Sequence, residues 1–141
     1  MPTALEPWLN AAAEGFSAGR MQPFLARTVT PFALHIENDF VSFQSHDAME
    51  RALFRYHTLL VGMGVTRLVP QLRALELPRQ SRFRSWIELI YHRGTAILPE
   101  TSTAIFYGRD TRLGPMFEMV QFLSFAHPEI KSLIPARSWS V

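Results

Sequence analysis

An α+β fold, in which a curved antiparallel sheet wraps around helices, is predicted by three features of this chain. Arg82–Arg93, Thr101–Arg109 and Met116–Phe125 are strand-length runs rich in aromatic and β-branched residues. Turn residues separate the three runs, so consecutive strands should pair antiparallel. They follow a helical segment and a longer mixed segment, which places helices on one side of the sheet and leaves a pocket between the layers.

Leu5, Trp8, Leu9, Ala12 and Phe16 fall at helical spacing, so residues 4–18 read as an amphipathic helix. Thr3 and Glu6 fit a capping box, Pro7 is tolerated in the first turn and Gly19 is a natural stop. Arg20–Arg27 suits a short helical turn with Pro23 near its start. Phe32–Ile36 and Phe40–Phe43 form a hairpin around Glu37-Asn38-Asp39. Ser45 caps a second long helix, with Asp47 and Glu50 where the helix dipole favours negative charge. Its apolar stripe runs through Met49, Ala52, Leu53, Tyr56, Leu59, Leu60 and Met63, and Arg51 and Arg55 lie on the wet face. Val65–Leu77 reads as a strand that Pro70 confines to a sheet edge or a bulge. The three long strands follow, linked through Gly94–Glu100 and Asp110–Pro115. The tail from about residue 127 carries prolines and a Trp139 that could dock.

Composition narrows the class. With 141 residues, 48% of them hydrophobic and 18% charged, the chain makes one globular domain, residues 1–141. A net charge of +2 does not demand a nucleic-acid surface, and the Arg79, Arg82 and Arg84 cluster reads as a solvated strand entrance. The lack of cysteine removes thiol chemistry and fits a reducing compartment, so a cytoplasmic protein is expected. There is no signal peptide, and no apolar run approaches the roughly 20 residues that span a bilayer, so no membrane partner is expected. His35, His46, His57, His92 and His127 show no metal-ligand spacing, and no phosphate loop or nucleophile elbow is present. Neither a metal nor a cofactor is expected.

The chain resembles the nuclear transport factor 2-like superfamily, in particular its SnoaL-like members, from Leu5 to Phe125. The resemblance rests on element order and on local texture: Leu5-Glu6-Pro7-Trp8-Leu9, Phe16-Ser17-Ala18-Gly19, the Phe32–Phe43 hairpin and Arg82-Phe83-Arg84-Ser85-Trp86. It implies a cone-shaped sheet with helices packed on its concave face, an interior pocket and dimerisation through the sheet. The superfamily hosts isomerases, dehydratases, cyclases and binding modules, so the fold alone assigns no activity. Its best-known enzymes use a buried acid, often with a tyrosine from the first helix. Here that helix offers Trp8 and Phe16, and no acid lies on the stripe after Ser45.

Strand periodicity nominates the pocket wall. Phe83, Ser85, Ile87, Leu89 and Tyr91 share one face, as do Phe117, Met119, Gln121, Leu123 and Phe125; these more apolar sets are assigned inward. The opposite sets contain Trp86, Ile90, Val120 and Phe122, a patch costly to expose and expected to join two copies in a homodimer. Glu88 and His92 could form a proton-transfer pair only through a cross-strand neighbour such as Glu118, because four residues along a strand span roughly 13 Å. The candidate ligand site comprises Phe16, Phe106 and Phe117 as walls, with Tyr56, His57, Ser85, Tyr91 and Gln121 as polar groups. The expected function is a pocket that takes a small apolar or aromatic molecule. The alternative is an isomerase, dehydratase or cyclase in which His57 or Tyr91 moves protons.

Overall fold

A computed structural model describes residues 5–127. The expected Thr3 cap and the Trp139 docking lie outside them. The order of elements is α1 (Leu5–Ser17), α2 (Gln22–Leu25), β1 (Thr28–Ile36), β2 (Asp39–Phe43), α3 (His46–Gly62), β3 (Arg67–Leu75), β4 (Arg82–Arg93), β5 (Ala96–Thr111) and β6 (Gly114–Ser124). Every expected element is present. Two strands start well before their expected bounds: β1 at Thr28, and β5 at Ala96, continuing through Pro99, because Gly94, at φ +59°, closes a tight turn directly after β4. Two extra residues there are absorbed as a register shift between Ile90–Thr101 and His92–Ile97.

The strands form a single six-stranded curved sheet in the order β2-β1-β6-β5-β4-β3. The meander β3 to β6 is antiparallel, as is the β1–β2 hairpin, whereas β1 runs parallel to β6. The sheet is therefore mixed, with one parallel junction. That junction follows from placing the N-terminal hairpin beside the last strand after the chain has passed through α1 and α2. Pro70 does lie on an edge strand, where its missing N–H breaks no ladder.

Helix α1 supplies the densest packing on the concave face. Leu5, Trp8, Leu9, Ala12 and Phe16 are all buried, matching the helical spacing. The Trp8 indole N–H donates to the Pro23 carbonyl at 2.8 Å, and the Leu68 N–H donates to Ser17 Oγ at 3.0 Å. These bonds fix both ends of α1, to α2 and to edge strand β3. Ser45 caps α3 as expected, accepting from the Ala48 N–H at 3.2 Å. The stripe of α3 behaves differently from that of α1. Met49 and Leu60 are buried, but Ala52, Leu53 and Tyr56 are only half-buried because they face a cavity.

The alternation expected for β4 is observed: Phe83, Ser85, Ile87, Leu89 and Tyr91 all point inward. In β6 it holds at both ends and inverts between them. Register shifts leave one extra residue on β6, Glu118, opposite Tyr107–Gly108, and another, Leu123, opposite Thr103–Ala104. Each extra residue moves the following side chains to the other face. Phe117 points inward opposite Gly108, but Val120 and Phe122 then oppose Phe106 and Ala104 on the concave face. Met119 and Gln121 lie on the convex side with Tyr107 and Ile105. The outward placement of Val120 and Phe122, and the inward placement of Met119, Gln121 and Leu123, are thus corrected.

Candidate functional site: an apolar cavity inside the cone

Between α1, α3 and the concave sheet lies a cavity of about 170 Å³. Trp8, Ala12 and Phe16 of α1 form one wall, Ala52, Leu53 and Tyr56 of α3 a second. The sheet contributes Leu34 and Ile36 from β1, Leu68 and Pro70 from β3, and Phe106, Val120 and Phe122 from the centre. Phe125, just past β6, completes the lining. Only two of these side chains, Trp8 and Tyr56, carry a nitrogen or oxygen atom. For comparison, an engineered cavity of about 150 Å³ lined by aliphatic and phenyl groups holds benzene and stays dry. The cavity thus has room for one ring with short substituents.

A buried chain of hydroxyl groups adjoins the Tyr56 side. The Tyr56 and Tyr91 hydroxyl oxygens are 2.6 Å apart, and Tyr91 Oη lies 2.8 Å from Ser102 Oγ. Ser102 Oγ accepts the Ala126 N–H at 3.0 Å, and Tyr56 Oη lies 3.3 Å from His127 Nδ1. Four different segments bring this cluster together. Tyr91 is on the unbroken alternation of β4, Ser102 is its inward neighbour on β5, Tyr56 is on the α3 stripe, and His127 follows the last strand. Tyr91 is 0% and His127 4% exposed. Burial pushes the Tyr91 phenol above its ordinary value near 10, partly offset by its bonds to Ser102 and Tyr56. Tyr91 is consequently a neutral hydrogen-bonding group.

The expected site residues sort as follows. Phe16, Tyr56 and Phe106 line the cavity. Tyr91 stands behind the wall and reaches it through Tyr56. Phe117 is buried one layer deeper, stacked on Trp8 with centroids 4.8 Å apart. Ser85 is 0% exposed, and its hydroxyl has no hydrogen-bond partner, but it is not part of the lining. His57 is on the far side of Phe16, edge-on to its ring at 5.8 Å, in a crevice that holds no more than one water. Gln121 lies on the convex face and accepts from the Tyr107 hydroxyl at 2.7 Å. The structure therefore takes His57, Ser85, Tyr91, Phe117 and Gln121 out of the cavity lining, with Tyr91 linked to it only through Tyr56. Val120 and Phe122 in the lining, and Ser102 and His127 in the polar chain behind it, are not among the expected site residues. Neither Ser102 nor His127 carries a local signal, because Ser102 comes beside Tyr91 only through the β4–β5 register and His127 follows the last strand.

The proposed Glu88–His92 pair is also dispersed. Glu88 is bound by Arg73, whose guanidinium holds the carboxyl below the usual range with help from Thr101. Glu118 instead meets Arg82 at 2.8 Å and Arg109 at 3.2 Å. Arg84 pairs with Glu76 at 2.7 Å and lies 5.1 Å over the Trp86 ring. Arg82 and Arg84 of the strand entrance are thus engaged with carboxylates. Among the described residues no group of His, Cys, Asp or Glu side chains could hold a metal ion. Among the same residues no helix is long and apolar enough to cross a membrane.

A cone-shaped mixed sheet closed by helices over an apolar cavity is the nuclear transport factor 2-like fold, and solved structures of that class match this chain. A nuclear transport factor 2-like protein of unknown function from Shewanella oneidensis is 12% identical, covering 86% of this chain and 98% of its own, with TM-score 0.66. A protein of unknown function from Mycobacterium tuberculosis is 8% identical over 89% of this chain and 73% of its own, with TM-score 0.64. A scytalone dehydratase-like protein from Novosphingobium aromaticivorans is 12% identical over 86% of this chain and 82% of its own, with TM-score 0.58. No family model matches the sequence, and no curated protein does. At these identities the likeness carries the fold and no activity.

Proposed function

We propose that this protein is a SnoaL-like pocket protein that binds a small apolar or aromatic molecule inside the cone. The observation that carries this reading is the cavity of about 170 Å³ walled almost wholly by carbon. A native interior packed to ordinary density keeps few voids larger than a water molecule, so space on this scale is a provision for a guest. Filling it should abolish binding. Ala52→Phe places a ring in the cavity from half-buried α3 and should leave the fold intact. With a one-ring probe such as toluene at 100 times its Kd, the unliganded protein should gain about 2.7 kcal/mol of stability. The Ala52→Phe protein should gain nothing in the same thermal-shift experiment. Equal shifts for both would place the probe elsewhere.

The second reading, an isomerase, dehydratase or cyclase, draws on the Tyr56–Tyr91 hydroxyl pair and on the fold of the scytalone dehydratase-like neighbour. The lining works against it, because among the described residues no carboxylate or histidine stands in the cavity wall to take a proton from a guest. In that reading Tyr91, acting through Tyr56, replaces His57 as the proton-handling group.

We also place a second copy of this chain on the convex face. Trp86 and Ile90 remain there, now joined by Ile105 and Met119 in place of Val120 and Phe122. These apolar groups are framed by the Arg73–Glu88, Arg84–Glu76 and Arg82–Glu118 pairs, which suit a polar rim. In sedimentation velocity at micromolar concentration the expected species is a dimer, converted to monomer by Trp86→Glu. A monomeric parent protein would refute this arrangement. The cysteine-free sequence is consistent with a cytoplasmic setting.

A further inference from the structure

We infer that the cavity selects a hydrocarbon ring over an isosteric ring that bears a hydroxyl, and that Tyr56 imposes the choice. This rests on the ligand-binding reading above and narrows its ligand class. Among the described residues, two lining side chains have hydrogen-bonding atoms, and both are committed inside the protein. The Trp8 N–H has a single proton, and it is given to the Pro23 carbonyl at 2.8 Å. The Tyr56 hydroxyl is held by Tyr91 at 2.6 Å and His127 at 3.3 Å.

The chain behind Tyr56 explains why it has little to offer a guest. Ala126 N–H donates to Ser102 Oγ, and Ser102 can donate to Tyr91, Tyr91 to Tyr56, and Tyr56 to His127 Nδ1. In that direction the phenolic proton of Tyr56 ends on the imidazole. In the reverse direction His127 donates to Tyr56, Tyr56 to Tyr91 and Tyr91 to Ser102, and the proton of Tyr56 is spent on its neighbour. Either way the one proton of Tyr56 stays within the network. A guest hydroxyl placed in the cavity loses its water, finds no proton offered by Tyr56, and at best shares an acceptor position on an oxygen that already holds two partners. The resulting discrimination is roughly tenfold to a hundredfold. A charged substituent is excluded more strongly.

The same geometry predicts how the choice can be changed. Tyr56→Phe keeps the ring and removes the hydroxyl that joins Tyr91 to His127. A guest hydroxyl can then occupy the vacated position and restore both contacts. The experiment is calorimetric titration of the full chain and of Tyr56→Phe with p-xylene and p-cresol, which differ only by methyl for hydroxyl. The parent protein should bind p-xylene at least about tenfold more tightly, and the ratio should fall towards unity or invert in Tyr56→Phe. A parent protein that binds p-cresol as well as p-xylene overturns the inference while leaving the ligand-binding reading standing. An unchanged ratio in a folded Tyr56→Phe overturns the role of Tyr56. If neither compound binds the parent protein, the ligand-binding reading itself fails. The parent ratio decides the selectivity even where the variant does not fold.

Discussion

Phe117→Ala is expected to cost about 3–5 kcal/mol of folding free energy. Its ring is 0% exposed and lies between three others: stacked on Trp8 at 4.8 Å with planes 14° apart, and edge-on to Phe83 and Phe106 at 5.8 and 5.7 Å. Such geometry adds pair energy beyond the buried area. The strand opposite has already made room for the ring. A Cβ built on Gly108 would meet Phe117 Cδ1 at 3.0 Å and the Met116 carbonyl oxygen at 3.0 Å. No side chain on Gly108 can slide in to refill the hole, so most of the cavity cost persists. Urea denaturation should show a large drop in midpoint with an unchanged slope. A loss below about 1 kcal/mol would mean that α1 collapses onto the sheet without this ring.

Stability should also fall steeply in strong alkali, and Tyr91→Phe should remove much of that fall. Burial first, then its hydrogen bonds in the opposite sense, leave the Tyr91 phenol above its ordinary value near 10. Below that value both folded and unfolded chains keep the proton, and stability does not depend on this group. Above it the unfolded chain ionises first. The folded chain then binds more protons than the unfolded one, so stability decreases as pH rises through the folded value. Below the window Tyr91→Phe should be less stable than the parent by roughly 1–3 kcal/mol, because Tyr56 and Ser102 lose a partner. The two proteins should therefore keep a constant difference up to about pH 10 and converge above it. Denaturation midpoints measured on both sides of that value test the sign. Parallel curves would show that Tyr91 ionises as easily folded as unfolded.

Much of the architecture was readable without coordinates, for identifiable reasons. The helical spacing of Leu5, Trp8, Leu9, Ala12 and Phe16 reports a buried face directly, and Ser45 with Ala48 forms the cap its position suggests. Pro70 indicated an edge, and the edge is where β3 lies. Strict alternation carried β4 because that strand has no extra residue. The candidate site was less accessible. Tyr56 and Phe16 reach the cavity from helices that periodicity had already oriented, and Phe106 joins them from β5. Ser102 and His127 belong to the polar chain only because β5 and the segment after β6 come beside Tyr91. Their roles depend on strand register and chain path, which no local pattern encodes.

The sequence by itself determined the elements, their order, the inward face of β4 and the α+β class, since each depends on the period of apolar residues within one segment. The tertiary structure alone decided which side of β6 faces the guest. Extra residues at Glu118 and Leu123 invert its middle and bring Val120 and Phe122 inward while sending Gln121 out. A bulge exists only between two paired strands, so the alternation of either strand read alone cannot reveal it.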